Sequence, residues 1–146
     1  MPRKSNVVRR PATRLQSLCH VLHQDAEQGS PLAQYLLGAL YQLGEVMPQD
    51  FAEAVNWYRR AADQGLAVAQ LALGAMYASG QGVPEDLVRA HMWLSLSAAH
   101  AAQITGAQRL ACDAQELRDK VAQKMTSEQI QEAEQLIRGW KPKQER

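Results

Sequence analysis

Few residues in this chain combine the types and the spacing that chemistry requires. His20, His23 and Glu27 would share one face of a helix, where they could ligate a metal. Three ligands from successive turns of one helix rarely close a tetrahedral shell unaided, so a solvated face is the expectation and no metal is assigned. Cys19 and His20 are adjacent, which on a helix turns them to different faces and denies them a nucleophile–base pairing. Gly80-Gln81-Gly82 lacks both a third glycine and a preceding strand, so it is expected to be a turn rather than a phosphate cradle. No Gly-x-Ser-x-Gly elbow occurs. The expectation is a protein that neither catalyses a reaction nor carries a cofactor.

The elements that would position these residues come from a repeat. Displaced by 36 positions, the chain matches itself without a gap: Ala26 on Ala62, Gln28 on Gln64, Gly29 on Gly65, and Ala33-Gln34 on Ala69-Gln70. Leu37-Gly38-Ala39 falls on Leu73-Gly74-Ala75, Tyr41 on Tyr77, Gly44 on Gly80, Pro48 on Pro84, Asp50 on Asp86, Ala54 on Ala90 and Trp57 on Trp93. A period of this length marks an array of structural units.

Each unit reads as two helices. Ser30-Pro31 offers an N-cap followed by a proline at the first helical position. Ala33, Leu36, Leu37, Leu40 and Tyr41 keep helical spacing until Gly44. Pro48 and Asp50 open a second helix whose stripe is Phe51, Ala54, Val55, Tyr58, Ala61 and Ala62, and Gly65 closes it as a left-handed cap. The next unit repeats this with Leu73, Met76 and Tyr77, then Leu87, Ala90, Leu94 and Ala98. Gly38 and Gly74 cost their helices about 1 kcal/mol each relative to alanine, which close approach of a neighbouring helix would offset. Trp57 and Trp93 are expected to fill the core between units. His91, at the position of Val55, is expected to be a satisfied core histidine, and His100 a cation complementing a helix end.

These residues resemble the Sel1-like repeat: Ala33-Gln34, Leu37-Gly38, Tyr41, the glycine loop with Val83-Pro84 and Asp86, then Ala54 and Trp57 with their second-unit partners. The resemblance implies an all-α fold, a right-handed solenoid of antiparallel helix pairs related to tetratricopeptide arrays, with about seven helices. It further implies a concave groove lined by the first helix of each pair, in which an adaptor or scaffold holds another protein. Groove positions should then be Tyr35, Gln42 and Leu43 in one unit and Leu71, Ala78 and Ser79 in the next, which differ between units while core positions match. Disulfide-rich members linked with β-lactams are a poor guide, since their cysteine pairs and any Ser-x-x-Lys are missing from this sequence.

The ends should act as caps. Residues 13–28 form an N-terminal capping helix with Leu15, Leu18, Cys19, Leu22 and Ala26 as its apolar stripe. Repeat 1 spans 29–64 and repeat 2 spans 65–100. Residues 106–140 supply C-terminal capping helices, the last opened by a Thr126–Gln129 capping box and similar to the C-terminal helices of short bacterial Sel1-like proteins. Residues 141–146 are a charged tail, expected to be loose.

Charge is uneven. Of 16 basic and 15 acidic residues, Arg3, Lys4, Arg9, Arg10 and Arg14 fall in the first 14 positions with no acid among them. Residues 1–12 read as a disordered basic arm, with nucleic-acid binding as the alternative function. No stretch is apolar enough to span a bilayer, and Gln16, Ser17 and His20 interrupt what would be a signal peptide's apolar segment. Two unpaired cysteines fit a reducing compartment, so a cytoplasmic location is expected. Homodimerisation through an apolar end face is left open.

Overall fold

A computed structural model describes residues 14–145. Among them are seven α-helices and no strand: α1 (Arg14–Glu27), α2 (Pro31–Leu43), α3 (Phe51–Asp63), α4 (Ala67–Ser79), α5 (Leu87–Ala102), α6 (Gln108–Ala122) and α7 (Ser127–Gly139). Consecutive helices from α1 to α6 pack on one another as an α-solenoid, and α7 turns back onto α5. No helix among the described residues is long and apolar enough to cross a membrane. The basic positions Arg3, Lys4, Arg9 and Arg10 lie outside the described residues.

Most of the local devices recur in both units, although the Ser30 cap of α2 is replaced in α4 by Leu66, which makes no side-chain cap bond. Ser30 Oγ accepts the Ala33 N–H at 3.3 Å, with Pro31 opening α2. Asp50 caps α3 through the Glu53 N–H at 3.1 Å, and Asp86 caps α5 through the Arg89 N–H at 3.0 Å. In each loop an aspartate N–H donates back across the hairpin, Asp50 to the Tyr41 carbonyl and Asp86 to that of Tyr77, both at 3.0 Å. The last helix opens with the expected capping box between Thr126 and Gln129.

Within each pair the helices touch at a glycine. A Cβ on Gly38 would fall 2.7 Å from the Tyr58 ring, and one on Gly74 would fall 2.8 Å from Leu94. Tyr58 and Leu94 are themselves one period apart, so the two hairpins interlock at the same place. Around these contacts lies the core of Ala54, Val55, Tyr58, Ala61, Ala62, Leu73, Met76, Trp93 and Leu94. Trp57 is buried in a smaller cluster with Ala26, Ala33 and Leu37.

Between pairs the apolar seam also holds buried polar groups. Gln34 and Gln70 are both fully buried. The Gln34 amide donates to the Ala26 carbonyl at 3.0 Å, and the Gln70 amide donates to the Ala62 carbonyl at 3.1 Å. Each bond ties the start of one pair to the last turn of the preceding helix, adding a second donor to a carbonyl that also accepts the N–H of Gly29 or Gly65.

Two expectations need correction. The α1 stripe is only partly covered: Ala26 is buried, but Leu15 and Leu18 are exposed, since among the described helices α1 packs chiefly on α2. The charged tail is not loose, since Lys143 donates its N–H to the Asp63 carbonyl at 2.7 Å and Glu145 reaches Arg60 and Gln34.

Gly38→Ala gains about 1 kcal/mol of helix propensity but overpacks the Tyr58 contact, which typically costs about 1–3 kcal/mol. Denaturant unfolding is expected to show a net loss of stability, and an unchanged or raised midpoint would contradict the close approach.

Candidate functional site

The six residues expected to line a groove fall into separate groups. Tyr35 is half-buried, its ring 5.7 Å from that of Tyr58, and Gln42 accepts the Tyr58 hydroxyl at 2.6 Å. These two residues therefore meet through Tyr58, whose pKa is pushed up by burial first and by Tyr35 second. Leu43 is exposed, whereas Leu71 is half-buried against the main core. Ala78 and Ser79 line a common hollow of about 280 Å3, with Ala75, Leu87, Leu117 and Val121 as its apolar walls. Lys120 and Lys124 belong to the same lining. Lys120 lies 3.3 Å from Glu116, both exposed.

This hollow is built by the ends of α4 and α6 and the start of α5. The α6 side was missed from the sequence, because those residues read only as the inward face of a cap. Leu32 and Leu36 leave exposed apolar surface on α2, although Leu36 was read from the sequence as part of that helix's apolar stripe.

The other end of the helix pairs carries a second cluster. Gln34 holds two further partners there: its Oε1 accepts from Gln64 at 2.9 Å, and its amide donates to Glu145 at 2.6 Å. Arg60 grips the Glu145 carboxylate with two nitrogens, each at 3.0 Å, while its guanidinium sits 4.7 Å over the Trp57 ring. The Arg60 bond lowers the Glu145 pKa below the usual carboxylate range. In the second unit the equivalent of Gln64 is His100, whose Nδ1 lies 2.8 Å from Gln70 Oε1. The Gln70 oxygen requires a proton on that nitrogen. Burial pushes the His100 pKa down, which favours the neutral form over the cation expected at a helix end.

The remaining candidates for chemistry are dispersed. His23 lies edge-on to Trp57 at 5.5 Å and 3.9 Å from Glu27, and His20 is exposed. Among the described residues no group of three or more His, Cys, Asp or Glu side chains converges as a metal site would require. His91 is buried, its pKa lowered first by desolvation, with Ser95 Oγ 3.5 Å from its Nδ1. Arg14 is exposed at the start of α1. Cys19 and Cys112 are free thiols.

Comparison with known proteins places this geometry. The family model described as Sel1 repeat matches residues 31–66 and again 67–101. Similar solved structures include the protective antigen c5321 of uropathogenic Escherichia coli, which displays an SLR fold. It shares 31% identity and a TM-score of 0.73 over 84% of this chain and 24% of that one. A Sel1 repeat protein from Oxalobacter formigenes shares 48% identity and a TM-score of 0.54 over 60% of this chain and 25% of that one. This chain thus spans about a quarter of the length of each. No curated protein matches the sequence.

The paired sites at Gln64 and His100 suggest a swap. His100 titrates at a lower pH when folded than when unfolded, so its contribution is whole above about pH 6.5 and is lost as pH falls through the folded value. His100→Gln keeps a donor to Gln70, as Gln64 serves Gln34. Thermal melts between pH 7 and 5 are expected to fall less steeply for this variant than for the parent, and equal slopes would contradict a neutral His100.

Proposed function

This chain carries two Sel1 repeats, and we propose that it is a non-catalytic adaptor that holds a partner protein against the face built by the first helices α2, α4 and α6. Sel1 repeats are in general protein–protein interaction modules. The observation that carries the reading is the hollow at Ala75, Ala78, Leu87, Leu117 and Val121, an apolar depression open at the surface. Such a depression suits one apolar anchor of a peptide or helix, in the way that helix-in-groove recognition works. Lys120 and Lys124 in its lining favour a partner with carboxylates next to that anchor.

Of the six groove residues, this proposal gives Ala78 and Ser79 direct contact with the anchor. Gln42 is engaged by the Tyr58 hydroxyl, so its part is to hold the wall of α3 against α2. Tyr35, Leu43 and Leu71 would extend the contact along the stack, with exposed Leu43 contributing most free apolar area.

The test is capture of partners from native lysate by the wild-type chain and by Ala78→Arg, which fills the hollow from a half-buried helical position. Loss of a truncated anchor at an interface typically costs about 2 kcal/mol or more, close to thirtyfold in affinity. Ala78→Arg is therefore expected to lose proteins that wild type retains, with its circular dichroism unchanged. Identical capture by the two folded proteins would place the partner surface elsewhere.

A further inference from the structure

The cluster around Gln34 and Arg60 lies at the opposite end of the helix pairs from the hollow, and both residues also have partners within the repeats. Gln34 is buried and fixed by the Ala26 carbonyl and by Gln64. Arg60 is stacked on Trp57. Gly29 and Gly65, at φ +101° and +96°, present bare backbone one period apart. A Cβ on Gly29 would come within 2.9 Å of the Glu145 side chain, and Trp140 lies 3.7 Å from where a Gly65 Cβ would be.

The tail crosses these two shelves. Trp140 seats beside Gly65, against Trp93 at 6.4 Å and His100 at 5.2 Å between ring centroids. The Lys143 N–H meets the Asp63 carbonyl, and the Glu145 carboxylate enters the Arg60 fork. Lys141, Pro142, Lys143 and Gln144 are exposed between these anchors. A short segment held by an aromatic ring, one backbone bond and one carboxylate has the form of a bound peptide. A planar guanidinium with two parallel bonds is a carboxylate receptor.

We infer that the edge formed by Gly29, Gln34, Arg60, Asp63 and Gly65 is a binding site for an extended peptide segment bearing an aromatic anchor and, five residues on, a carboxylate, with residues 140–145 as its exchangeable resident. Tethering gives the resident an effective concentration in the range of mM, so an external segment of the same kind competes with it. Glu27 also approaches Arg60, but at 3.9 Å and more exposed, which leaves the fork to the peptide.

The probe is a fluorescein-labelled, C-terminally amidated peptide with the sequence of residues 140–145, titrated by anisotropy against full-length protein. Glu145→Ala frees the fork and is expected to bind the probe at least tenfold more tightly than wild type. Adding Arg60→Gln to Glu145→Ala is expected to remove that gain. A second probe with glutamine in place of its glutamate tests the same contact from the ligand side, should the double variant fold poorly, and is expected to bind Glu145→Ala at least fivefold more weakly. Equal probe affinity for wild type and Glu145→Ala, no binding to either, or affinity indifferent to both Arg60 and the probe's carboxylate would overturn the site.

Discussion

Two buried amides hold this solenoid in register. Gln34 and Gln70 each place a side-chain N–H on the carbonyl of an alanine, Ala26 or Ala62, in the last turn of the preceding helix. Burying an amide is costly unless it is hydrogen-bonded, so the bond is obligatory once the residue is inside. A hydrophobic seam alone would tolerate sliding of one helix pair along the next. An amide that must find one carbonyl does not. Gln64 and His100 complete the arrangement by donating to the glutamine oxygens, and Ser97 adds a 2.7 Å bond to the Ala67 carbonyl.

From that register the two ends of the helix pairs acquire different chemistry. At one end the first helices stop at Gly44 and Gly80, in the left-handed conformation, and the loops after them leave the hollow against α6 open. At the other end the second helices stop at Gly65 and, before the first full pair, at Gly29, and this bare backbone receives the tail. Glycine is needed at Gly29 for both reasons, its positive φ and the approach of Glu145. The same scaffold thus supports an apolar surface and a charged one without their sharing residues.

Much of the fold could be read from residue types. The 36-residue self-match, the caps at Ser30, Asp50, Asp86 and Thr126, and the burial of Trp57 and Trp93 all follow from local rules that tertiary packing did not override. What escaped depended on contacts between distant segments. Glu145 lies 111 positions from Gln34, and no local pattern announces that pairing. Lys120 and Lys124 drew no reading from the sequence, because their place beside Ala78 depends on how α6 docks. His100 looked like a cation at a helix end, yet its burial lowers its pKa, while Gln70 on α4 fixes which ring nitrogen carries the proton. Gln34 and Gln70 were visible as matching letters, but matching gave no hint that they face inward.

Hydrogen exchange of glutamine side-chain amides, resolved by NMR, tests the seam most directly. Gln34 and Gln70 are expected to exchange orders of magnitude more slowly than the exposed Gln81 and Gln131, because only opening of the stack would admit water to them. Exchange at Gln70 as fast as at Gln81 would mean that no buried amide fixes one repeat on the next.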